Sequence, residues 1–264
     1  MNQSATVSSS SSLAVIILAA GKGTRMNNPN KAKVMFELSG EPMIDFVVRQ
    51  AESLHPAKIA VVVGFQKESV MQHLDASFHG LRSAEVLHYA HQDQQLGTGH
   101  AVMQTESALQ SFSGDVLILS GDVPLLRIET LQDFAAFHRD SKSVVSVLSV
   151  ENPNPTGYGR IVRAANGDFE RIVEHKDASE QERSIKEINS GIYFVQSSAL
   201  FQALHQVSNS NAQGEYYLTD IVSIVRASDA PVAAWKCTAF EEVQGINTVE
   251  QLEDARRALE EQFA

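Results

Sequence analysis

A single cysteine, Cys237, stands in the 264 residues. That excludes an intrachain disulfide framework and fits a reducing compartment, so a cytoplasmic location is expected. Long apolar runs are missing too. The longest, Leu13 to Ala20, falls far short of the roughly 20 residues that a membrane helix needs, and no membrane span is expected. Side-chain charge is absent before Lys22, and no small-residue cleavage pattern follows the apolar run. The opening "MNQSATVSSSSS" therefore reads as a disordered tail, residues 1–12, and not as a secretory signal. Positive charge is scarce overall: 21 Lys and Arg stand against 32 Asp and Glu, a net charge of −11. Such a balance argues against nucleic-acid binding, which draws on basic surfaces to neutralise phosphates. Repeats of solenoid period are also absent.

What is present is a rhythm. Short β-branched runs recur at "AVIILAA", "IAVVVG", "EVLHYA", "DVLILSG" and "VVSVLSV", separated by amphipathic segments such as "PMIDFVVRQAESL" and "ETLQDFAAFHRD". That alternation predicts an α/β fold with a mostly parallel sheet and helices on both faces. After Val150 the rhythm changes. "RIVRAANGDFERIVEH" places two strand-like runs around Asn166-Gly167, the signal of a type I′ hairpin, and reads as a small antiparallel insertion covering the carboxyl edge of the sheet. The chain returns through "INSGIYFV", a helix near 214–227, a strand at "APVAAWKC" and a charged helix over about 248–262.

The stretch "LAVIILAAGKGTRM" carries the first sign of chemistry. Its apolar strand, Leu13 to Ala20, delivers a glycine loop to the carboxyl edge, where open parallel sheets bind ligands. Gly21 and Gly23 let backbone amides come close to a ligand. Lys22, Arg25, Lys31 and Lys33 set four positive charges ahead of the first acidic residue, Glu37, which makes a local anion trap. A solvated basic turn is the plain alternative. Two familiar phosphate loops fail: no Walker A pattern exists, and the third glycine of the dinucleotide fingerprint falls on Met26. Further along, "QDQQLGTGHAV" puts two glycines before a predicted helix, with side-chain amides able to read a base edge. "LILSGDVPLL" ends a strand in Gly121-Asp122, a carboxylate at the sheet edge, where it either meets a hard cation or caps the following turn.

With "PTGYGRIV", "IVEHKDA", "EINSGIY", "NAQGEYYLTD" and "VQGINT" following in that order, the chain from about Leu13 to Phe263 resembles the N-terminal uridylyltransferase domain of the bacterial N-acetylglucosamine-1-phosphate uridyltransferase/glucosamine-1-phosphate acetyltransferase family. Residues 13–264 are then a nucleotidyltransferase domain with a Rossmann-like nucleotide-diphospho-sugar transferase fold. The family's second half, a β-helix of hexapeptide repeats, has no counterpart here, so a stand-alone enzyme or a truncated form is expected. The resemblance implies uridylyl transfer from UTP to N-acetylglucosamine-1-phosphate, which serves cell-wall and lipopolysaccharide synthesis, with Mg²⁺ as cofactor. It assigns Arg25 and Lys33 to catalysis. It gives Leu18, Ala19, Ala20, Gly21, Gly23, Gln92, Gly97 and Thr98 to the nucleotide, and Gly159, Glu174, Asn189, Tyr217 and Thr219 to the sugar. Asp122 and Asn247 fall to the metal. Bland alternatives stand beside them: Glu174 a solvated strand end, Asn189 a turn residue, Tyr217 a core aromatic. Transfer to another sugar-1-phosphate, or a sensor that binds without turnover, are the rival functions. The oligomeric state stays open, a monomer included.

Overall fold

The computed structural model describes residues 12–26 and 28–262; residues 1–11 of the expected tail lie outside the described residues. The strands in chain order are β1 (Leu13–Leu18), the short pair β2 (Glu37–Leu38) and β3 (Glu41–Pro42), β4 (Lys58–Val63), β5 (Leu87–His91), β6 (Asp115–Ser120), β7 (Val145–Glu151), β8 (Arg160–Arg163), β9 (Phe169–Val173), β10 (Glu187–Gln196) and β11 (Val232–Cys237). The main sheet runs β11-β7-β10-β6-β1-β4-β5. Strand β1 is parallel to both β4 and β6, β4 to β5, and β7 to β11, while β10 alone runs antiparallel between β6 and β7. The mixed, mostly parallel α/β architecture expected from the alternating runs is the one observed.

Strands β1, β4 and β6 are near-continuous apolar runs because both faces of the sheet are covered there. Alternate residues of β1 enter two different cores: Val15 and Ile17 pack with Val48, Leu74 and Phe134, and Ala14 and Ile16 with Val102, Leu204 and Val222. Helices Met43–Glu52, Lys67–Ser77 and Ile128–Asp140 cover the first face; Thr98–Met103, Ser197–Leu204 and Asp220–Ala227 cover the second. A third cluster, with Met26, Leu38, Met43, Ile246, Leu252 and Ala255, docks the last helix, Val249–Gln262, onto the segment that follows β1. Among the described residues, no helix is long and apolar enough to cross a membrane.

Three local expectations need correction. Strand β1 ends at Leu18, two residues before Ala20, because the chain bends there into the glycine loop; only Ala19 N–H still donates to Val62. The helix expected from 214 begins at Asp220, since Gly214 to Leu218 runs irregularly, with Tyr216 and Leu218 committing backbone groups to the segment 96–99. The β8–β9 hairpin does not turn as type I′, which needs two left-handed residues. Gly167 alone has positive φ, +89°, and its N–H donates to the Ala164 carbonyl, leaving a register shift after Val162. The hairpin is antiparallel as expected and joins the sheet through β10, near the carboxyl end of β7.

Candidate active site

From β1 the chain crosses to β4 and β5 on one side, then to β6 on the other, so the strand order reverses between β1 and β6. The loops leaving the carboxyl ends of two such strands diverge and leave a crevice. Here a cleft of about 290 Å³ opens, lined by Leu18 to Gly21 from the β1 side, Ser120 and Asp122 from the β6 side, and Lys33, Gln92, Gln95, Gly97, Thr98 and Glu215.

The glycine loop is shaped by Lys33. At Gly23, φ is +63°, and a Cβ there would lie 2.6 Å from Lys33 Cβ, so the absence of a side chain lets the loop close over the lysine stem. One turn on, buried Met26 plugs the third cluster and leaves Arg25 exposed at the rim. Val34 is buried under the first core and fixes the turn that carries Lys33.

The charged centre is compact. Lys33 Nζ donates to Asp122 Oδ2 and, at 2.7 Å, to Asn247 Oδ1, which also accepts from Arg25 Nη2 at 3.0 Å. Asn247 is held from behind: its N–H and that of Thr248 both donate to Gln251 Oε1, and the Gln251 N–H donates to Thr248 Oγ1, a reciprocal cap at the head of the last helix. The two loops are stitched together where Ile246 N–H donates to the Asp122 carbonyl at 2.9 Å. A carboxylate oxygen and an amide oxygen therefore converge on one cationic point. Two hard oxygen donors of this kind fit Mg²⁺, which takes few protein ligands and fills the rest with water and substrate phosphates. Among the described residues no group of three or more His, Cys, Asp or Glu could hold a metal, so an all-protein cage is not the alternative.

Gln92, 4% exposed, donates from Nε2 to the Gly97 carbonyl at 3.0 Å. Thr98 behaves partly as a brace: its hydroxyl accepts from Leu218 N–H at 3.2 Å while it lines the cleft.

The residues expected at the sugar gather around the β8–β9 hairpin. Glu174 Oε1 accepts from Thr219 Oγ1 at 3.1 Å, and a Cβ on Gly159 would sit 3.4 Å from the same oxygen. Asn189 N–H donates to the Gly159 carbonyl, and Asn189 Nδ2 donates to the Tyr193 hydroxyl at 2.6 Å. Burial raises the Glu174 carboxyl above its ordinary range; the Thr219 hydrogen bond opposes this, and the nearby carboxylates of Asp220, Asp177 and Glu215 add to the rise. Tyr217 is buried and turns its hydroxyl to Asp177 Oδ2 at 3.1 Å, which ties it less directly to the group. Lys31 leaves the anion trap by pairing with Glu37 at 3.1 Å.

Some lining residues escaped the sequence reading. Gln95 Nε2 donates to the Ala20 carbonyl at 2.7 Å and bridges the two loops; it stands inside the glutamine-rich stretch, but nothing local separates it from Gln94. Glu215 lies beside the tyrosine pair. Tyr158 has its hydroxyl pushed above the ordinary range by burial and then by the negative charge of Asp122, which places it by the charged centre.

Comparisons with known proteins agree with the fold. The nucleotidyl transferase family model matches residues 14–240. The bifunctional protein GlmU of Latilactobacillus sakei subsp. sakei (strain 23K) is 44% identical over 248 residues, which is 94% of this chain and 52% of that protein. GlmU of Streptococcus mutans serotype c is 43% identical over 244 residues, 92% of this chain and 51% of that protein. The chain thus spans about half the length of the curated relatives it matches. Among solved structures, a UDP-glucose pyrophosphorylase complexed with UDP-glucose aligns with a TM-score of 0.76 at 18% identity, covering 95% of this chain and 99% of that one, which shows a shared fold.

Proposed function

This chain belongs to the nucleotidyl transferase family, and on that premise we propose that it transfers a uridylyl group from UTP to N-acetylglucosamine-1-phosphate, giving UDP-N-acetylglucosamine and pyrophosphate. The observation that carries the proposal is the convergence of Lys33, Arg25, Asp122 and Asn247 at the strand-order switch, together with the identity to GlmU proteins over 94% of the chain. A phosphate oxygen of the sugar attacks the α-phosphorus of UTP while pyrophosphate leaves, and no covalent enzyme intermediate is required. Two polyanions must meet, so the protein's work is positioning and charge stabilisation.

Lys33 and Arg25 stabilise the negative charge that spreads over the transferring and leaving phosphates. The backbone from Ala20 to Gly23 cradles the nucleotide, and Gln92 with Gly97 and Thr98 reads its base. Gly159, Glu174, Asn189 and Thr219, with Tyr217 behind them, hold the amino sugar. Asp122 and Asn247 would hold Mg²⁺, which when bound screens the phosphate charge and completes its coordination with substrate oxygens. Such an enzyme would work in the cytoplasm and supply a nucleotide sugar to envelope synthesis.

The test is a matrix of nucleoside triphosphates against sugar-1-phosphates, each with Mg²⁺ or EDTA, followed by pyrophosphate release. UTP with N-acetylglucosamine-1-phosphate should be the fastest pair, and EDTA should stop it. Glucosamine-1-phosphate and glucose-1-phosphate should be at least about tenfold poorer, because a site built to hydrogen-bond the acetamido group leaves polar groups unpaired without it. UDP-sugar binding with no pyrophosphate release would make the protein a sensor. Equal rates on all three sugars would remove the amino-sugar assignment.

A further inference from the structure

The Gln92 side chain is almost wholly buried, yet it lines the cleft. The Gly97 carbonyl, 3.0 Å from Gln92 Nε2, can only accept, so chemistry alone puts the amide NH₂ on that side. The same nitrogen lies 3.1 Å from His100 Nδ1. An NH₂ group carries two hydrogens; one is taken by Gly97, and the second finds an acceptor at Nδ1 only when that ring nitrogen is unprotonated. Gln92 Oε1 accepts no hydrogen bond among the described residues.

We propose that His100 is a positioning residue for base selection: by accepting the second amide hydrogen of Gln92 at Nδ1, it leaves the cleft facing a pure acceptor, Gln92 Oε1, and so selects a base that offers an N–H. This rests on the reading of the cleft as a uridine nucleotide site. Uracil and thymine present N3–H to such an acceptor. Cytosine presents a bare N3 lone pair, which opposes that of Oε1. Without His100 the amide is held by Gly97 alone, so the flipped form, which turns the NH₂ to the cleft, is reached by giving up one hydrogen bond instead of two, and Gln92 can then donate to cytosine N3 as well as accept from uracil.

The surroundings hold the imidazole in place. His100 lies on the helix Thr98–Met103, its ring 6.2 Å from that of Tyr216. The Tyr216 carbonyl accepts the Gly99 N–H at 2.8 Å, and the Tyr216 N–H donates to Leu96 at 2.8 Å. With Nδ1 as acceptor, the ring proton sits on Nε2, 3.3 Å from the Gln104 amide nitrogen. That nitrogen donates to the His100 carbonyl at 3.0 Å, and both side chains are only half-buried, so Gln104 can swing aside and leave the Nε2 proton to solvent. The buried Gln92, held by Gly97 and His100 together, has no such freedom.

The experiment compares UTP with CTP by kcat/KM for pyrophosphate release and, independently of turnover, UDP with CDP by calorimetric Kd. His100→Leu removes the acceptor. His100→Asn restores an acceptor at the place of Nδ1, and His100→Gln moves it out to the place of Nε2. His100→Leu and His100→Gln should each lower uridine-over-cytidine discrimination by about tenfold, the scale of one hydrogen bond, mainly through KM and Kd. His100→Asn should keep the wild-type ratio. If His100→Leu does not fold, the Asn and Gln pair carries the same comparison. An unchanged ratio in His100→Gln, or an equal loss in His100→Asn, would overturn the proposal. So would a fall in kcat shared by both nucleotides with the ratio intact, which marks a structural histidine. Absence of pyrophosphate release with every triphosphate would instead strike the uridylyl-transfer reading, while the calorimetric ratio would still decide the role of His100.

Discussion

At the scale of the residue, Glu174 shows how a site can oppose the fold that carries it. It is packed among other acidic groups, and burial raises its carboxyl above the ordinary range. A raised carboxyl means that folding favours the protonated form. Its contribution is therefore neutral below the ordinary glutamate range, and a loss of stability develops as pH rises through that range to the raised folded value. Glu174→Gln keeps an oxygen for the Thr219 hydroxyl and removes the charge. It should melt higher than the wild type near neutral pH, and the gap should close at mildly acid pH, as read by thermal unfolding across a pH series. The same variant should turn over N-acetylglucosamine-1-phosphate more slowly. A melting temperature at neutral pH no higher than that of the wild type would show that the carboxylate is compensated in a way the Thr219 bond does not explain.

At the scale of the element, the glycines of the two cleft loops serve different ends. Gly97 has φ +107°, and a Cβ there would lie 2.6 Å from the Tyr216 carbonyl, so its bareness is demanded by the protein itself. Gly21 has no atom within 4 Å of an added Cβ and lines the cleft. Gly97→Ala should therefore cost stability, by about 1–3 kcal/mol for a strained backbone position, and raise KM for UTP. Gly21→Ala should melt with the wild type and still raise KM for UTP, because the only thing its methyl can obstruct is the ligand. Thermal unfolding set against UTP kinetics for the two variants checks this. Wild-type kinetics in Gly21→Ala would mean that the nucleotide does not approach that backbone.

For the whole molecule, the last helix decides whether the charged centre is one piece. Leu252 packs with Met26, Leu38, Met43 and Ile246, so the far end of the chain is bolted to the loop that bears Arg25 and to the start of the helix after Lys33. Truncation of a buried leucine costs about 2–5 kcal/mol. Leu252→Ala should lower the denaturant midpoint of a single cooperative transition and weaken turnover with it, since Asn247 is capped by Gln251 from the same helix. A separate early transition, with the main one and the turnover unchanged, would show that the helix unfolds independently of the site.

The sequence by itself determined the architecture: alternating β-branched runs and amphipathic segments demand a parallel sheet covered on both faces, and the switch in rhythm after Val150 marks the antiparallel hairpin. It also showed which loops carry glycine, charge and amide groups, because these are local features of composition and spacing. The assignment of each such residue to phosphate, base, sugar or metal came from family resemblance and not from spacing. Only the tertiary structure decided which of them meet. Lys33 and Asp122 are 89 positions apart, and Arg25 and Asn247 are 222 apart, so no local pattern reports that they share one point. The start of the helix at Asp220 and the bridge from Gln95 to Ala20 were illegible for the same reason, while the one-glycine hairpin turn and the Lys31–Glu37 pair are local yet equally illegible. Local propensity offers several near-equal conformations at a loop, and the choice falls to partners that only the folded chain brings within reach.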